Sequence, residues 1–201
     1  MNEIAGYLTI IIDKQREMYY AMPKYLRKPV KISLIKEVES QLRILFNQEL
    51  YDLFSFADGV DYNGKPSSII GIIPNYILLS LENCVGYYKE VIEHDDLFFN
   101  PEKEYHPGKK LFPIMNNDGN CYWVDLNDTS ENYGKIYWTN TDGEYPDYHF
   151  ESLTSFFKTI SQCYENGFIT VDNENLVCDY YAWGKVAMEN NPSILYWKGY
   201  F

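Results

Sequence analysis

KLFPIMNNDGNCYWVDL, residues 110–126, is the stretch that decides the fold. Two apolar runs, 110–115 and 121–126, flank NNDGN, whose Asp-Gly pair tolerates the positive φ of a tight turn, so the segment reads as an antiparallel hairpin. Neighbours on a strand face opposite sides of a sheet. One ring of Tyr122-Trp123 therefore belongs to the core and the other is exposed or covered by a helix, and Tyr137-Trp138 in GKIYWTN (134–140) divides the same way. With SSIIGII (67–73) and YILL (76–79) upstream, the middle of the chain predicts an antiparallel sheet, with a second Asp-Gly turn in TDGE (141–144).

Outward from the sheet the period becomes helical. Ile4, Tyr7, Leu8, Ile11, Met18 and Tyr19, interrupted by Gln15, predict an amphipathic helix ended by Pro23. Lys24, Arg27, Lys28 and Lys31 form a basic connector that reads as a solvated loop, and Ile35, Val38 and Leu42 mark a second helix. Asn47 reads as the N-cap of a third helix, which buries Leu50, Leu53, Phe54 and Ala57, with Gly59 as its left-handed stop. LENCVGYYKEVI (81–92) predicts a helix between strands, followed by an irregular acidic loop through Pro101 and Pro107. From Ser152, Leu153, Phe156, Phe157, Ile160 and Tyr164 restore the helical period until Gly167. Beyond it come FITV, a helix over about 174–189, Pro192 as a stop, and ILYW (194–197) as an edge strand. Helices, an antiparallel sheet and helices again make an α+β fold, and 201 residues suit a single domain.

Composition narrows the function. Lys plus Arg number 17 against 29 Asp plus Glu, a formal net charge of −12, which argues against direct contact with nucleic acid. The acidity is local: residues 1–56 carry +1 and 57–201 carry −13. Within 116–151, Asp118, Asp125, Asp128, Glu131, Asp142, Glu144, Asp147 and Glu151 are opposed only by Lys135. That cluster reads either as a solvated surface or as a steering surface for a cationic partner. No apolar run approaches the ~18 residues of a membrane span, and MNEIAGYLTIIIDKQREMYY has no basic segment before its apolar stretch, so no membrane contact and no secretory signal are expected. Cys84, Cys121, Cys163 and Cys178 are widely spaced without C-x-x-C, which fits a reducing cytoplasm.

Catalytic signals are sparse. His94, His106 and His149 lack metal-site spacing, and both Asx-Gly segments have an apolar residue, Ile114 or Trp138, where a calcium loop needs a carboxylate. G-x-S-x-G, G-x-x-x-x-G-K and G-x-G-x-x-G are all missing, so neither cofactor nor nucleotide chemistry is expected. The carboxylate surplus leaves a glycosidase-like acid/base pair open, and twenty tyrosines with four tryptophans leave an aromatic platform for sugar or protein open. Aromatics and acids together favour recognition over chemistry.

The succession ISLIKEVESQL, LFNQELYDLFSFADG, KLFPIMNNDGNCYWVDL, GKIYW and SLTSFFKTI resembles the SUKH superfamily of Smi/Knr-type proteins over about residues 32–165. Residues 1–31 and 166–201 would then be N- and C-terminal helical extensions of one domain spanning 1–201. The resemblance rests on an Asp-Gly turn after a helix pair (Asp58, Gly59), a strand with Phe112, Pro113 and Ile114, a glycine turn leading to a strand that ends in aspartate (Gly119, Asp125), and a Ser-Phe pair opening the closing helix (Ser155, Phe156). The usual Leu-Pro before the second family helix is Phe46-Asn47 here. The resemblance implies a SUKH-like antiparallel sheet flanked by helices, without a catalytic centre, of a kind bacteria use mostly as immunity proteins against cognate toxins of polymorphic systems. Its motif residues look structural. An acidic surface suits a basic toxin such as a nuclease. Asp118, Asp128, Asp142, Glu144 and Asp147 are the expected charges, and Tyr122, Tyr133 and Tyr145 the expected exposed anchors. A regulatory or scaffold module of the same fold is the alternative, and a carbohydrate-binding protein a third.

Overall fold

A computed structural model describes residues 2–62, 64–93, 110–140 and 147–199, except the side chains of residues 92 and 93. The acidic loop through Pro101 and Pro107, the TDGE turn, His94, His106, Asp142, Glu144 and Tyr145 lie outside the described residues. In chain order the elements are α1 (Glu3–Glu17), α2 (Ile32–Leu42), α3 (Gln48–Phe56), α4 (Ser67–Ile70), β1 (Ile77–Leu78), α5 (Leu81–Glu93), β2 (Leu111–Asn117), β3 (Asn120–Asp125) and β4 (Ile136–Thr139). They continue with β5 (Asp147–Phe150), α6 (Leu153–Glu165), β6 (Ile169–Asp172), β7 (Asn175–Cys178), α7 (Tyr180–Asn190) and α8 (Leu195–Gly199). This is the expected α+β arrangement.

Strands β1 to β5 form an antiparallel sheet in sequence order. The hairpin closes where Asn117 pairs with Asn120, and between them Asp118 and Gly119 take φ of 47° and 97°. Pro113 has no N–H for the ladder, and the register shifts between Pro113 and Met115. Alternation sorts the aromatic pairs. Tyr122 and Trp138 enter the main core with Phe112, Phe150 and Phe156, while Trp123 and Tyr137 face the other side with Leu111, Cys121 and Val91 of α5. Helix α5 covers that second face, Tyr87 stacking on Trp123 with ring centroids 5.4 Å apart.

Helix α1 packs along α6. Gln15, the interruption in its apolar stripe, is itself buried: its amide donates to the Gly71 carbonyl at 3.2 Å and to the Tyr164 hydroxyl at 2.7 Å. The helix stops at Glu17, before Pro23, because Tyr19 turns left-handed at φ 58° with 95% of its surface exposed. Asn47 caps α3 as expected, accepting from the Leu50 N–H at 3.0 Å. That helix ends at Ala57. Gly59 lies beyond the cap, at φ 68°, where a Cβ would stand 2.4 Å from the Leu79 carbonyl carbon, so close approach to the segment after β1 explains the glycine. Ser152 and Ser155 form a reciprocal capping box on α6, and Glu49 of α3 adds a carboxylate accepting from the N–H groups of Leu153 and Thr154 at 3.0 and 3.1 Å.

Three sequence expectations are corrected. SSIIGII is no strand but α4 followed by a buried turn. Its backbone is satisfied by side chains from elsewhere: the Gly71 N–H donates to the Tyr20 hydroxyl at 3.1 Å, and the Tyr164 hydroxyl donates to the Ile72 carbonyl at 2.9 Å. The expected helix over 174–189 is present as α7 but starts later, at Tyr180 after its Asp179 cap, because residues 175–178 form the second strand of a hairpin, β6–β7, turned by Asn173 and Glu174 at φ 47° and 67°. ILYW is helical rather than an edge strand, α8 being anchored by a hydrogen bond from Trp197 Nε1 to the His149 carbonyl. Strand β5 has no counterpart among the runs that the sequence marks as strands. Residues of α1, α7 and α8, among them Ile4, Leu8, Trp183 and Trp197, share one apolar cluster with the sheet.

Candidate protein-binding groove

Helix α5 carries Glu82, Gly86 and Glu90 at i, i+4 and i+8, so all three share one face. Its opposite face buries Cys84, Tyr88 and Val91 and fixes its orientation on the sheet. Its start is held by Asp58, which accepts from the Leu81 N–H at 2.8 Å and is itself paired with Arg27 at 3.1 Å. Across from the exposed face stands the β2–β3 turn, Asn116 to Gly119, and between them lies a groove of about 630 Å³ floored by Val60, Ile77, Leu78 and Leu79.

Three carboxylates line the groove, those of Glu82, Glu90 and Asp118, and among the described residues no Lys or Arg does. Asn83, Asn116 and Asn117 add amides that both donate and accept. Burial pushes the Tyr87 hydroxyl well above its ordinary pKa, so it stays a neutral wall. At Gly86 the wall is open: a Cβ there meets nothing within 4 Å. The arrangement suits a cationic or hydrogen-bonding protein segment. The thiols of Cys84 and Cys121 are fully buried, and burial raises both far above the thiol range, which keeps them protonated and inert. Among the described residues no group of three His, Cys, Asp or Glu side chains could hold a metal ion, and no helix is long and apolar enough to cross a membrane.

Among the described residues, the expected contact residues do not all lie together. Successive loops of an antiparallel meander emerge at opposite ends of the sheet, so Asp118 lies at one end while Asp128 and Tyr133, between β3 and β4, lie at the other. Asp128 is tied to Lys110 by an ion pair, and that hydrogen-bonded ammonium holds its carboxyl below the usual range. Asp147 is exposed at the start of β5, two strands from β3. Tyr133 is exposed, but Tyr122 is not: it is 7% exposed and packs 5.0 Å from the Phe156 ring, so its expected role as a surface anchor is withdrawn. Glu82 and Glu90 are not among the expected contact residues, although their four-residue spacing around Gly86 is visible in the sequence of α5.

The helix pair, the Asp58-Gly59 turn and the ordered antiparallel sheet agree with the result of comparison with known families: the SMI1 / KNR4 family (SUKH-1) matches residues 29–159. The chain belongs to the SMI1/KNR4 family. No curated protein matches it. In this SMI1/KNR4 protein the groove lies wholly inside the matched span, while α1 and everything from β6 onward lie outside it. The motif residues have structural positions. Phe112 packs 4.6 Å from the Phe46 ring, Pro113 and Ile114 sit at the bulge, Gly119 makes the turn, Asp125 is buried at the end of β3, Ser155 completes the capping box and Phe156 is core. SUKH membership is consistent with an immunity-type or regulatory role.

Proposed function

We propose that this SMI1/KNR4 protein is a non-enzymatic cytoplasmic immunity protein that neutralises a cognate toxin by receiving a basic segment of it in the groove between α5 and the β2–β3 turn. The observation that carries this reading is the groove's charge: among the described residues, three carboxylates and no cation line it over an apolar floor. Such a lining attracts Lys and Arg from a distance and holds them by charge-assisted hydrogen bonds on contact. Occlusion of a cationic active-site loop, as in a nuclease, follows without any chemistry by the immunity protein itself.

The test is co-expression with candidate basic toxin domains encoded beside it, scoring growth rescue, followed by calorimetry at two salt concentrations. Rescue with tight binding that weakens in salt supports the reading. Binding that is indifferent to salt, or to charge reversal of Glu82 and Glu90, would remove the groove from it.

A further inference from the structure

On the sheet face opposite Trp123, a second cavity of about 220 Å³ lies between the sheet and the C-terminal helices. Its walls are rings: Tyr122, Trp138 and His149 from the sheet, Tyr180 and Trp183 from α7, and Tyr196 from α8. Tyr180, 61% exposed, brings the cavity to the surface. Among the described residues no Asp, Glu, Lys or Arg lines it. Five of its eleven lining residues come from β7, α7 and α8, beyond the span that the SMI1/KNR4 family matches.

The unexplained group is His149. It is 3% exposed, and among the described residues neither ring nitrogen has a hydrogen-bond partner. Buried polar side chains are nearly always paired, and leaving one unpaired costs about 1–3 kcal/mol. Trp138 and Tyr196 both stack on the imidazole, with centroids 4.9 and 3.9 Å away, so its faces are taken and its two unpartnered nitrogens are buried on its edge. Burial pushes the imidazole down to about 3, so it is neutral under ordinary conditions and offers one acceptor and one donor.

We propose that this cavity binds a small uncharged planar ring bearing an N–H or O–H donor, which inserts among the aromatic walls and donates to His149. An ion is disfavoured because it would be buried without a counter-charge. Size agrees: a cavity of roughly 150 Å³ takes a benzene ring, so this one takes a fused bicycle. Aromatic walls favour stacked and edge-to-face contact with such a ring.

The four tryptophans supply the readout. In the full-length protein labelled with ¹⁵N, indole is expected to shift the side-chain N–H signals of Trp138, Trp183 and Trp197. Trp123, on the opposite face of the sheet, serves as an internal control and stays in place. Benzofuran, the isostere without the donor, should bind about fivefold more weakly, and His149→Phe should make the two probes equal. The probe comparison on the unaltered protein stands even if that variant does not fold. Signals unmoved up to the solubility of indole, as when His149 is served by a trapped water alone, overturn the proposal. So do equal affinities for both probes, or shifts of all four tryptophans alike.

Discussion

The Tyr148 hydroxyl on β5 donates to the Asp125 carboxylate at the end of β3, 2.6 Å away, spanning the intervening strand β4. The other carboxylate oxygen accepts from the Asn127 N–H at 2.8 Å, where the chain leaves the sheet. Asp125 is fully buried, so these bonds substitute for water. The aspartate of the family resemblance is thus a lock between strands.

Tyr148→Phe is expected to cost about 1–3 kcal/mol, because it leaves a buried carboxylate oxygen short of a donor. Urea titration measures the loss. Asp125→Ala should cost at least as much, and the double variant less than the sum of the two. Strict additivity would mean the pair is not coupled.

Gly59 and Gly167 both take positive φ, 68° and 71°, but only Gly59 is crowded, a Cβ there falling 2.4 Å from Leu79. Gly167→Ala should cost roughly 1 kcal/mol of left-handed strain. Gly59→Ala adds a backbone clash and should cost about 2–4 kcal/mol or prevent folding. Similar melting temperatures for the two variants would contradict the close approach.

Gly86→Trp is predicted to keep the fold, since nothing stands within 4 Å of its Cβ and glycine is a poor helix residue. It should nevertheless abolish growth rescue by filling the groove. Full protection by a folded Gly86→Trp protein would place the toxin contact elsewhere.

Charge reversal separates the two ends of the sheet. Glu82→Lys with Glu90→Lys should slow toxin association by about tenfold at low salt and flatten its salt dependence. Asp128→Lys, at the far end and in a variant that loses only the Lys110 pair, should leave the on-rate unchanged. Stopped-flow association rates distinguish the outcomes.

His149 gives stability a defined pH dependence. Its folded value is depressed from 6.5 to about 3 by burial, so between those values the unfolded chain binds the proton and the folded chain does not. Its contribution is complete above about pH 6.5 and is lost as pH falls toward about 3, by up to ~1.4 kcal/mol per pH unit. Comparing urea midpoints near pH 7 and about pH 5, His149→Phe should show the shallower decline. Identical slopes would mean that the folded imidazole takes up the proton as readily as the unfolded one.

Local signals explain what could be read in advance. The Asp-Gly turn and its flanking strands, the Asn47 and Ser152 caps and the periodicity of α1, α3 and α6 each depend on neighbours within a few residues. The misreadings share the opposite property. SSIIGII is held by hydroxyls of Tyr20 and Tyr164 from distant elements, and the Asn173-Glu174 turn adopts positive φ at two residues without the glycine that would announce it. ILYW becomes helical where Trp197 reaches His149, 48 residues earlier.

The sequence by itself determined the α+β class, the hairpin and the family, because turn chemistry, capping and apolar period are written in adjacent residues. Tertiary structure alone decided where the acids gather. Asp118 and Asp128 are close in the chain, yet the antiparallel meander puts them at opposite ends of the sheet, while α5 brings Glu82 and Glu90 to Asp118 from earlier in the sequence. It also decided that Tyr122 is core and that His149 is enclosed by rings, since strand alternation says which residues share a face but not what covers it.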